Sequence, residues 1–339
     1  MEIISTNEVA KKCEALEIRD AMLCDEKEIN GDIMASSMWN IIKKTMDTST
    51  EKYNQKEKIK PFVKWAGGKG QLLNNIREIY PKNLGSKITK YAEPFVGGGA
   101  ILFDILTNYE LDSIYISDIN EELINTYITI RENVDNLILL LEKYQTEYIP
   151  LDTENRKFYY YNKRKKFNEL KFTKLDNNIE KSALFIFLNK TCFNGLYRVN
   201  KNGQFNVPMG AYRNPLICDG ENLRRISKKL EKVKIVCGDY RKSEDFIDNR
   251  TFVYFDPPYR PLNETSSFTS YTENIFDDTS QIELAEFIKK LDIKGAKIAL
   301  SNSDPKNINK DDDFFDNLYK NQNIKRIEAN RMINSKASL

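Results

Sequence analysis

The chain has 339 residues, with 52 lysines and arginines, 50 aspartates and glutamates, and no histidine. This length is enough for two or three domains and a large hydrophobic core. Without histidine the chain has no Ser-His-Asp triad, no Cys-His pair and no histidine metal ligand. Catalysis must therefore depend on carboxylates, lysines, amides, backbone groups or a cofactor.

The remaining composition is typical of a globular protein from a reducing compartment. Hydrophobic residues make up 40% and charged residues 30% of the chain. No apolar run approaches the roughly 20 residues of a membrane helix, and the N-terminus lacks the apolar core of a signal peptide. The five cysteines match neither a metal-binding pair nor a disulfide pattern. We therefore expect a cytoplasmic protein with no membrane partner.

Charge is distributed unevenly along the chain. Residues 156–232 contain 18 basic and 6 acidic residues, a net charge of +12, whereas residues 1–57 have a net charge of −4. Such a basic segment favours a polyanionic partner, above all a nucleic acid. The alternative is a solvated, lysine-rich helical surface.

The first predicted elements lie after a separate N-terminal segment. Residues 1–57 are rich in charged and hydroxyl residues and are expected to form one or two short helices or a partly disordered arm. From Lys60 the pattern changes. An extended stretch at 61–66, a glycine turn at 67–70 and an amphipathic helix at 72–80 are predicted.

Short apolar strands then alternate with helices. Polar residues or glycine follow most of the strands, which is typical of an open, mostly parallel α/β sheet that binds ligands beyond its carboxyl ends. Strands are predicted at 90–96, 113–117, 233–237, 252–255 and 297–300, and helices at 100–106, 121–132 and 281–291.

The central basic segment interrupts this alternation. Helical patterns at 156–167 and 182–189 precede two alternating runs, 195–200 and 204–208, which flank Asn202-Gly203. Asn-Gly in this position is a strong signal for a β-hairpin. The pattern thus predicts a basic, mainly helical domain with a hairpin, inserted into the α/β domain. The predicted boundaries are an extension at 1–57, a first catalytic part at 58–130, the insertion at 131–232 and a second catalytic part at 233–339.

A glycine run follows the first strand. Gly97 to Gly99 precede a helix whose N-terminal amides can approach a ligand, and Asp118 ends the next strand, where a carboxylate can bind ribose hydroxyls. Leu102 occupies the last glycine position of the dinucleotide motif. The pattern therefore favours an adenosine-containing cofactor other than NAD, with a purely structural turn as the alternative.

Asp256-Pro257-Pro258-Tyr259 is the most specific motif, and it follows an entirely apolar strand. Proline has no amide hydrogen, so the two prolines stiffen the loop without adding donors. A carboxylate and a backbone carbonyl can together accept both hydrogens of an exocyclic amine, and the tyrosine ring offers a flat surface for a base. The alternative is a strand-end turn without catalytic function.

Together these motifs resemble the Dam-like, alpha-group (D12 class) DNA adenine-N6 methyltransferases, especially those that methylate GATC. The resemblance runs from about Lys60 to about Lys336 and preserves the order of parts. Its components are the segments at 61–69, 93–99, 194–198 with 205–208, 256–259, and 300–304. It implies a Rossmann-like S-adenosylmethionine-dependent methyltransferase sheet with an inserted target-recognition domain.

The resemblance also implies roles for individual residues. Asp118 would bind the ribose and Asp239 the adenine of S-adenosylmethionine, with no metal required. Asp256 and the Pro257 carbonyl would hold the target amine, and Tyr259 would stack on the flipped adenine. The implied cofactor-binding residues are Trp65, Lys69, Phe95, Gly97, Gly99, Asp118, Asp239 and Asp256, and the implied catalytic residues are Asp256, Pro257, Pro258 and Tyr259.

The implied partner is double-stranded DNA containing GATC, bound by a monomer. Lys64 and Arg198 would contact guanines in the major groove, where arginine binds guanine in a bidentate manner. Leu196 and Pro208 would contact the inner base pairs, and Phe193 would wedge into the duplex. The DNA-binding set is thus Lys64, Phe193, Asn194, Leu196, Arg198 and Pro208.

Three interpretations follow. The first is an active GATC adenine methyltransferase. The second is a GATC-binding protein without turnover. Family members continue past the segment at 331–335 into a further strand, and loss of that strand would leave a sheet edge unpaired and impair activity. The third is an amino-methyltransferase with another target. The related Asn-Pro-Pro-Tyr proteins act on protein glutamine and RNA, but Asp256 and the hairpin argue against those substrates.

Overall fold

A five-stranded sheet forms the centre of the protein in a computed structural model, which describes residues 59–173, 178–260 and 276–327. All neighbouring strands are parallel, and the strand order is β3-β2-β1-β4-β5. The predicted open, mostly parallel α/β sheet is therefore confirmed. The strands are β1 (Lys90–Glu93), β2 (Ser113–Asp118), β3 (Val233–Cys237), β4 (Thr251–Phe255) and β5 (Lys297–Leu300).

Helices precede, connect and follow these strands in the described ranges. They are α1 (Leu73–Arg77), α2 (Ala100–Asn108), α3 (Glu121–Glu132), α4 (Val134–Tyr148), α5 (Thr153–Lys171), α6 (Asn178–Thr191), α7 (Gly220–Leu230), α8 (Asp278–Ile293) and α9 (Phe314–Leu318). The helices at 100–108, 121–132, 153–171, 178–191 and 278–293 match predicted ones, whereas those at 134–148, 220–230 and 314–318 were not predicted. Short 3₁₀ helices occupy Lys69–Gln71, Phe193–Gly195, Tyr240–Ser243 and Pro305–Asn307. None of the helices in the described ranges is long and apolar enough to cross a membrane.

Local chemistry explains where the strands and helices begin. Every residue of β4 is buried, as expected for a strand of a parallel sheet covered on both faces. Asn120 caps α3 by accepting a hydrogen bond from the Leu123 amide, and Asp277 caps α8 by accepting one from the Ser280 amide. The predicted helix at 72–80 is shorter than expected and ends at Arg77.

The direction in which the chain crosses the sheet reverses at its central strand, β1. From β1 the chain proceeds outward through β2 to β3, and it then returns to β4 on the other side of β1. The connections after β1 and β4 consequently leave the sheet in opposite directions. In open α/β sheets such a divergence marks the crevice at the carboxyl ends of the two strands, where ligands bind.

In chain order, helices α4 to α7 lie between β2 and β3, and they contain most of the basic segment. The stretch from Ser182 to Asn189 of α6 is buried throughout, because α6 packs against α3, α4 and α5. This burial explains its continuous apolar sequence. The domain boundaries at 131 and 232 remain predictions, and the predicted N-terminal extension and the segment at 331–335 lie outside the described residues.

The predicted hairpin forms an antiparallel turn with isolated bridges instead of two regular strands. Val199 pairs with Phe205, and Cys192 pairs with Met209. Side chains of α5 take up backbone groups that a ladder would otherwise use: Asn168 binds both the amide and the carbonyl of Phe205. A regular strand is not needed at Phe205, because the Asn168 side chain already provides hydrogen-bond partners for its backbone amide and carbonyl.

Candidate active site

The glycine run after β1 forms a tight turn against the end of β2. Gly97 and Gly99 have φ values of 49° and 75°, a region that residues with a Cβ atom rarely occupy. The Gly97 amide donates a hydrogen bond of 3.1 Å to Asp118 Oδ2. A Cβ atom on Gly97 would lie 2.7 Å from Trp65 Cδ1. The structure therefore brings together Trp65, Gly97, Gly99 and Asp118, to all four of which the family resemblance assigns a role in cofactor binding.

Two acidic residues end the strands on this side of the crevice. Burial raises the pKa of the Asp118 carboxyl, while the amides of Asn120 and Gly97 bind the carboxylate and oppose that rise. Asp239 follows β3 and forms an ion pair with Arg241 at 3.2 Å. The Gly238 amide donates to the Asp118 backbone carbonyl. Asp118 and Asp239 thus lie on adjacent strand ends, as a shared ligand would require.

Aromatic side chains border the same crevice. Phe95 packs against Tyr240, with ring centroids 5.4 Å apart, and against Phe276 at 5.9 Å. Trp65 stacks on Tyr197 with ring centroids 5.8 Å apart and an interplanar angle of 22°. Because Tyr197 belongs to the hairpin segment, this stack joins the segment at 61–69 to the hairpin.

Asp256 lies directly beyond β4 and pairs with Lys69. The Lys69 ammonium is 2.5 Å from both carboxylate oxygens and also donates to the Gly67 carbonyl at 2.8 Å. Lys69 is only 4% exposed, whereas the Asp256 side chain is 20% exposed. Lys69 was predicted to bind the cofactor, and the structure places its ammonium on the predicted catalytic carboxylate.

Burial and the ion pair act in opposite directions on Asp256. Burial raises the pKa of the Asp256 carboxyl, and the Lys69 charge and hydrogen bond counteract part of that rise. For Lys69, burial disfavours the ammonium and lowers its pKa. The electrostatic interactions and hydrogen bonds of Lys69 with Asp256 and Tyr259 outweigh burial, so that the pKa of Lys69 is raised. The lysine therefore stays protonated and stabilises the ionised carboxylate.

The other three residues of the motif form the loop beyond Asp256. Pro257 is buried, and the Pro258 carbonyl accepts a hydrogen bond of 3.1 Å from Gln281 Nε2. Tyr259 is 39% exposed, and its ring centroid lies 4.9 Å from Lys69 Nζ. The tyrosine ring is therefore partly accessible and lies beside Lys69.

The predicted DNA-binding residues lie together at the hairpin. Phe193 is 37% exposed, so it is not a core residue, and Asn194 has a φ value of 55°. The Phe193 amide donates to the Pro208 carbonyl at 2.9 Å, which brings these two residues side by side. Arg198 is exposed and donates from Nε to Asn206 Oδ1 at 2.8 Å. Leu196 is partly buried and contacts the core, which leaves part of its side chain accessible.

Lys64 reaches the hairpin although it is distant in sequence. The buried Asn189 side chain accepts from the Lys64 amide and donates to the carbonyls of Lys64 and Gly195. Lys64 Nζ lies 4.3 Å from the Tyr212 ring centroid and 3.2 Å from its hydroxyl oxygen. Lys64 and the hairpin therefore form one surface.

Sequence reasoning missed several residues that support these sites. Tyr127 donates from its hydroxyl to the Gly97 carbonyl, Tyr212 contacts Lys64, and Gln281 binds the Pro258 carbonyl. None of these three residues belongs to a recognisable motif. Glu93, which does precede the glycine run, is buried and accepts a hydrogen bond from Tyr91, and burial raises its pKa well above the usual range.

Comparison with known proteins agrees with this geometry. The family model of the D12 class N6 adenine-specific DNA methyltransferases matches residues 65–333. The type II methyltransferase M.MjaIII of Methanocaldococcus jannaschii is 53% identical over 280 residues, which cover 82% of this chain and 94% of that protein. The type II methyltransferase M1.LlaDCHI of Lactococcus lactis is 41% identical, over 84% of this chain and 93% of that protein.

A relative that is named as a DNA adenine methylase is similar over a comparable part of this chain. The DNA adenine methylase of Haemophilus influenzae is 35% identical over 286 residues, which cover 84% of this chain and 91% of that protein. The family match includes the glycine run, the hairpin segment and the Asp-Pro-Pro-Tyr loop in their predicted order. The chain belongs to the family of D12 class N6 adenine-specific DNA methyltransferases.

Proposed function

We propose that the protein transfers a methyl group from S-adenosylmethionine to N6 of a flipped adenine in double-stranded DNA, within GATC. The single observation that carries this proposal is the position of Asp256. It is a partly exposed carboxylate beyond β4, in the crevice that β4 forms with β1 and its glycine turn. Acceptors for an exocyclic amine are thus next to a predicted cofactor site. We further propose a cytoplasmic monomer.

The residues around the glycine turn fit an adenosylated cofactor. Asp118 keeps acceptor capacity on its carboxylate beyond its two amide bonds, which suits ribose hydroxyls. Trp65 and Phe95 offer aromatic surface, and the turn from Gly97 to Gly99 exposes backbone at the start of α2. Asp239 would bind the adenine. When bound, S-adenosylmethionine supplies a methyl group already activated by a positively charged sulfur.

Orientation of the target amine is the task of the Asp256 loop. The Asp256 carboxylate and the Pro257 carbonyl would accept the two amine hydrogens and favour a more tetrahedral nitrogen, whose lone pair then points at the methyl group. Among the described residues, no donor occupies the Pro257 carbonyl. Lys69 keeps Asp256 ionised, and Tyr259 would stack on the base to offset its lost stacking.

The rate of methyl transfer should fall at acidic pH because the ionised form of Asp256 is the working form. Its pKa is raised by burial, and Lys69 opposes the rise. Replacing Lys69→Met removes this opposing charge, so the acidic limb of the rate profile should shift to higher pH. Single-turnover rates measured across pH at saturating DNA and cofactor test this shift. An acidic limb that stays in place would show that Lys69 does not control Asp256.

We also propose that Arg198 and Lys64 contact the guanines of GATC, with Leu196, Pro208, Phe193 and Asn194 completing the contact surface. Asn206 holds Arg198 through Nε, and in the described part of the chain no acceptor contacts its terminal nitrogens. Those two nitrogens are available for bidentate contact with guanine.

Replacing Arg198→Ala should lower kcat/KM for GATC by about 10- to 100-fold, since one bidentate base contact contributes about 1–3 kcal/mol of discrimination. The matched control is Lys201→Ala, which removes one exposed positive charge from the turn of the same hairpin. The control should weaken binding to all sequences similarly and lower its salt dependence. If each variant loses the same factor in kcat/KM on GATC duplexes as on duplexes with a substituted guanine, Arg198 contacts a phosphate and not a base.

The function itself is tested by mapping methylated sites in DNA incubated with the full chain and S-adenosylmethionine. N6-methyladenine in GATC is the expected product. Methylation at other sites would support an amino-methyltransferase with a different target. Specific GATC binding without turnover would indicate a DNA-binding protein that lacks catalysis.

A further inference from the structure

A chain of side-chain amides connects β5 to the Asp-Pro-Pro-Tyr loop. Gln281, in the first turns of α8, is fully buried and donates from Nε2 to the Pro258 carbonyl at 3.1 Å. Its Oε1 accepts from Asn302 Nδ2 at 3.0 Å, and Asn302 Oδ1 accepts from the Ser303 amide at 2.9 Å. Asn302 lies two residues beyond β5, in the segment at 300–304 to which sequence reasoning assigned no role.

The direction of this hydrogen-bond chain is fixed at both ends. The Ser303 amide can only donate, and the Pro258 carbonyl can only accept. Each amide between them must therefore present its oxygen toward Ser303 and its nitrogen toward Pro258. Reversing either amide would place two acceptors or two donors in contact, so both side chains have a single orientation.

The loop needs such support from outside. Pro257 and Pro258 lack amide hydrogens, so the centre of the loop has no donor of its own to anchor it. Helix α8 supplies a second anchor, since Arg260 binds Asp278 of α8 at 2.6 Å and Asp312 at 2.6 Å. The loop is thus held at Pro258 and at Arg260, on either side of Tyr259.

We propose that Gln281 and Asn302 are positioning residues for methyl transfer, an inference that rests on the proposed function of the Asp256 loop. By holding the Pro258 carbonyl, the two amides fix the direction of the neighbouring Pro257 carbonyl and the Tyr259 ring. Neither amide contacts Asp256, so their effect is on geometry and not on charge. A shift of about 1 Å in such groups can reduce a rate by about a hundredfold.

Asn302→Asp is the sharpest test because it preserves size and the bond from Ser303. An ionised aspartate cannot donate to Gln281, so the connection to Pro258 breaks. The single-turnover rate should fall by about 100-fold, while the dissociation constant for DNA stays at the wild-type value. The matched control is Asn125→Asp, which removes an amide that donates to Ser182 between α3 and α6 and has no hydrogen bond to the loop among the described residues.

The pH dependence separates positioning from general destabilisation. A protonated aspartate has an O–H group that can donate to Gln281 and restore the hydrogen-bond chain. The ratio of the Asn302→Asp rate to the wild-type rate should therefore rise as pH falls, whereas the ratio for Asn125→Asp should stay constant. Gln281→Met provides a second variant, in which the rate loss should show no recovery at low pH.

The outcomes distinguish this inference from the proposed function. If the wild-type chain methylates DNA but Asn302→Asp and Gln281→Met keep its rate, the positioning inference is wrong and the function stands. A low rate in Asn302→Asp that does not recover relative to wild type at acidic pH also contradicts the inference. If the wild-type chain transfers no methyl group to adenine, the proposed function itself is wrong.

Discussion

Replacement of Asp256→Asn is expected to lower the single-turnover rate of methyl transfer by about a thousandfold, the scale seen when one preorganised polar group is lost from an active site. The amide keeps an oxygen acceptor but loses the negative charge that stabilises the amine as it becomes positive. DNA binding should persist, because the hairpin surface of Lys64 and Arg198 does not include Asp256. Rapid-quench assays with labelled cofactor and fluorescence anisotropy of labelled duplex measure the two quantities.

Loss of the Asp256 charge also affects Lys69, so the experiment needs a control for the effect on stability. The single variant leaves the buried Lys69 ammonium without its carboxylate partner, which lowers stability. The double variant Asp256→Asn with Lys69→Met removes both charges and should regain stability in urea unfolding. It should still be inactive. Recovery of activity along with stability would show that the loss in Asp256→Asn came from unfolding, and would contradict a catalytic role for Asp256.

Replacement of Gly99→Ala is expected to have the second largest effect, a loss of about 3 kcal/mol in the free energy of unfolding together with loss of cofactor binding. Gly99 has a φ of 75°, and a Cβ atom there would lie 2.4 Å from the Tyr127 hydroxyl oxygen. That buried hydroxyl donates to the Gly97 carbonyl at 3.0 Å. The added methyl group would therefore displace the side chain that supports the glycine turn.

Alanine substitutions at two other glycines, Gly67 and Gly70, distinguish the effect of backbone strain from that of a steric conflict. Gly67 has a φ of 76°, but nothing lies within 4 Å of an added Cβ, so Gly67→Ala should cost about 1 kcal/mol from strain alone. Gly70 also has open space and no positive φ, so Gly70→Ala should be neutral. Urea unfolding of the three variants, with calorimetric titration of S-adenosylmethionine, tests the order. Equal stability of Gly99→Ala and Gly70→Ala would contradict the assigned close contact.

Local sequence patterns were sufficient for most of the sheet. Strands β3 and β5 begin and end at the predicted residues, although both are edge strands with partly exposed residues. The central strand β4 is buried on both faces and consists of consecutive apolar residues after Thr251, which made it recognisable. The glycine run and the Asp-Pro-Pro-Tyr motif were likewise recognisable because their backbone demands restrict residue type locally. The resemblance to the D12 class, confirmed by the family match, depended on several such motifs in one order.

The hairpin shows the limit of local patterns. Asn202-Gly203 marked the turn correctly, but the regular strands expected on either side did not form. Side chains from α5, which lies about 40 residues earlier, bind the hairpin backbone: Tyr160 donates to the Val207 carbonyl, and Lys171 donates to the Gly203 carbonyl. Alternation within a segment cannot reveal donors that approach from another element.

What the sequence by itself determined was the set of strands, the glycine turn, the Asp-Pro-Pro-Tyr motif and the family. Only the tertiary structure decided which distant residues meet: Lys69 with Asp256, Lys64 with Tyr212, and Gln281 with both Pro258 and Asn302. The physical reason is that such contacts depend on the strand order and on how each helix crosses the sheet. Periodicity sets the face that a residue occupies, whereas packing of the whole chain sets its partner.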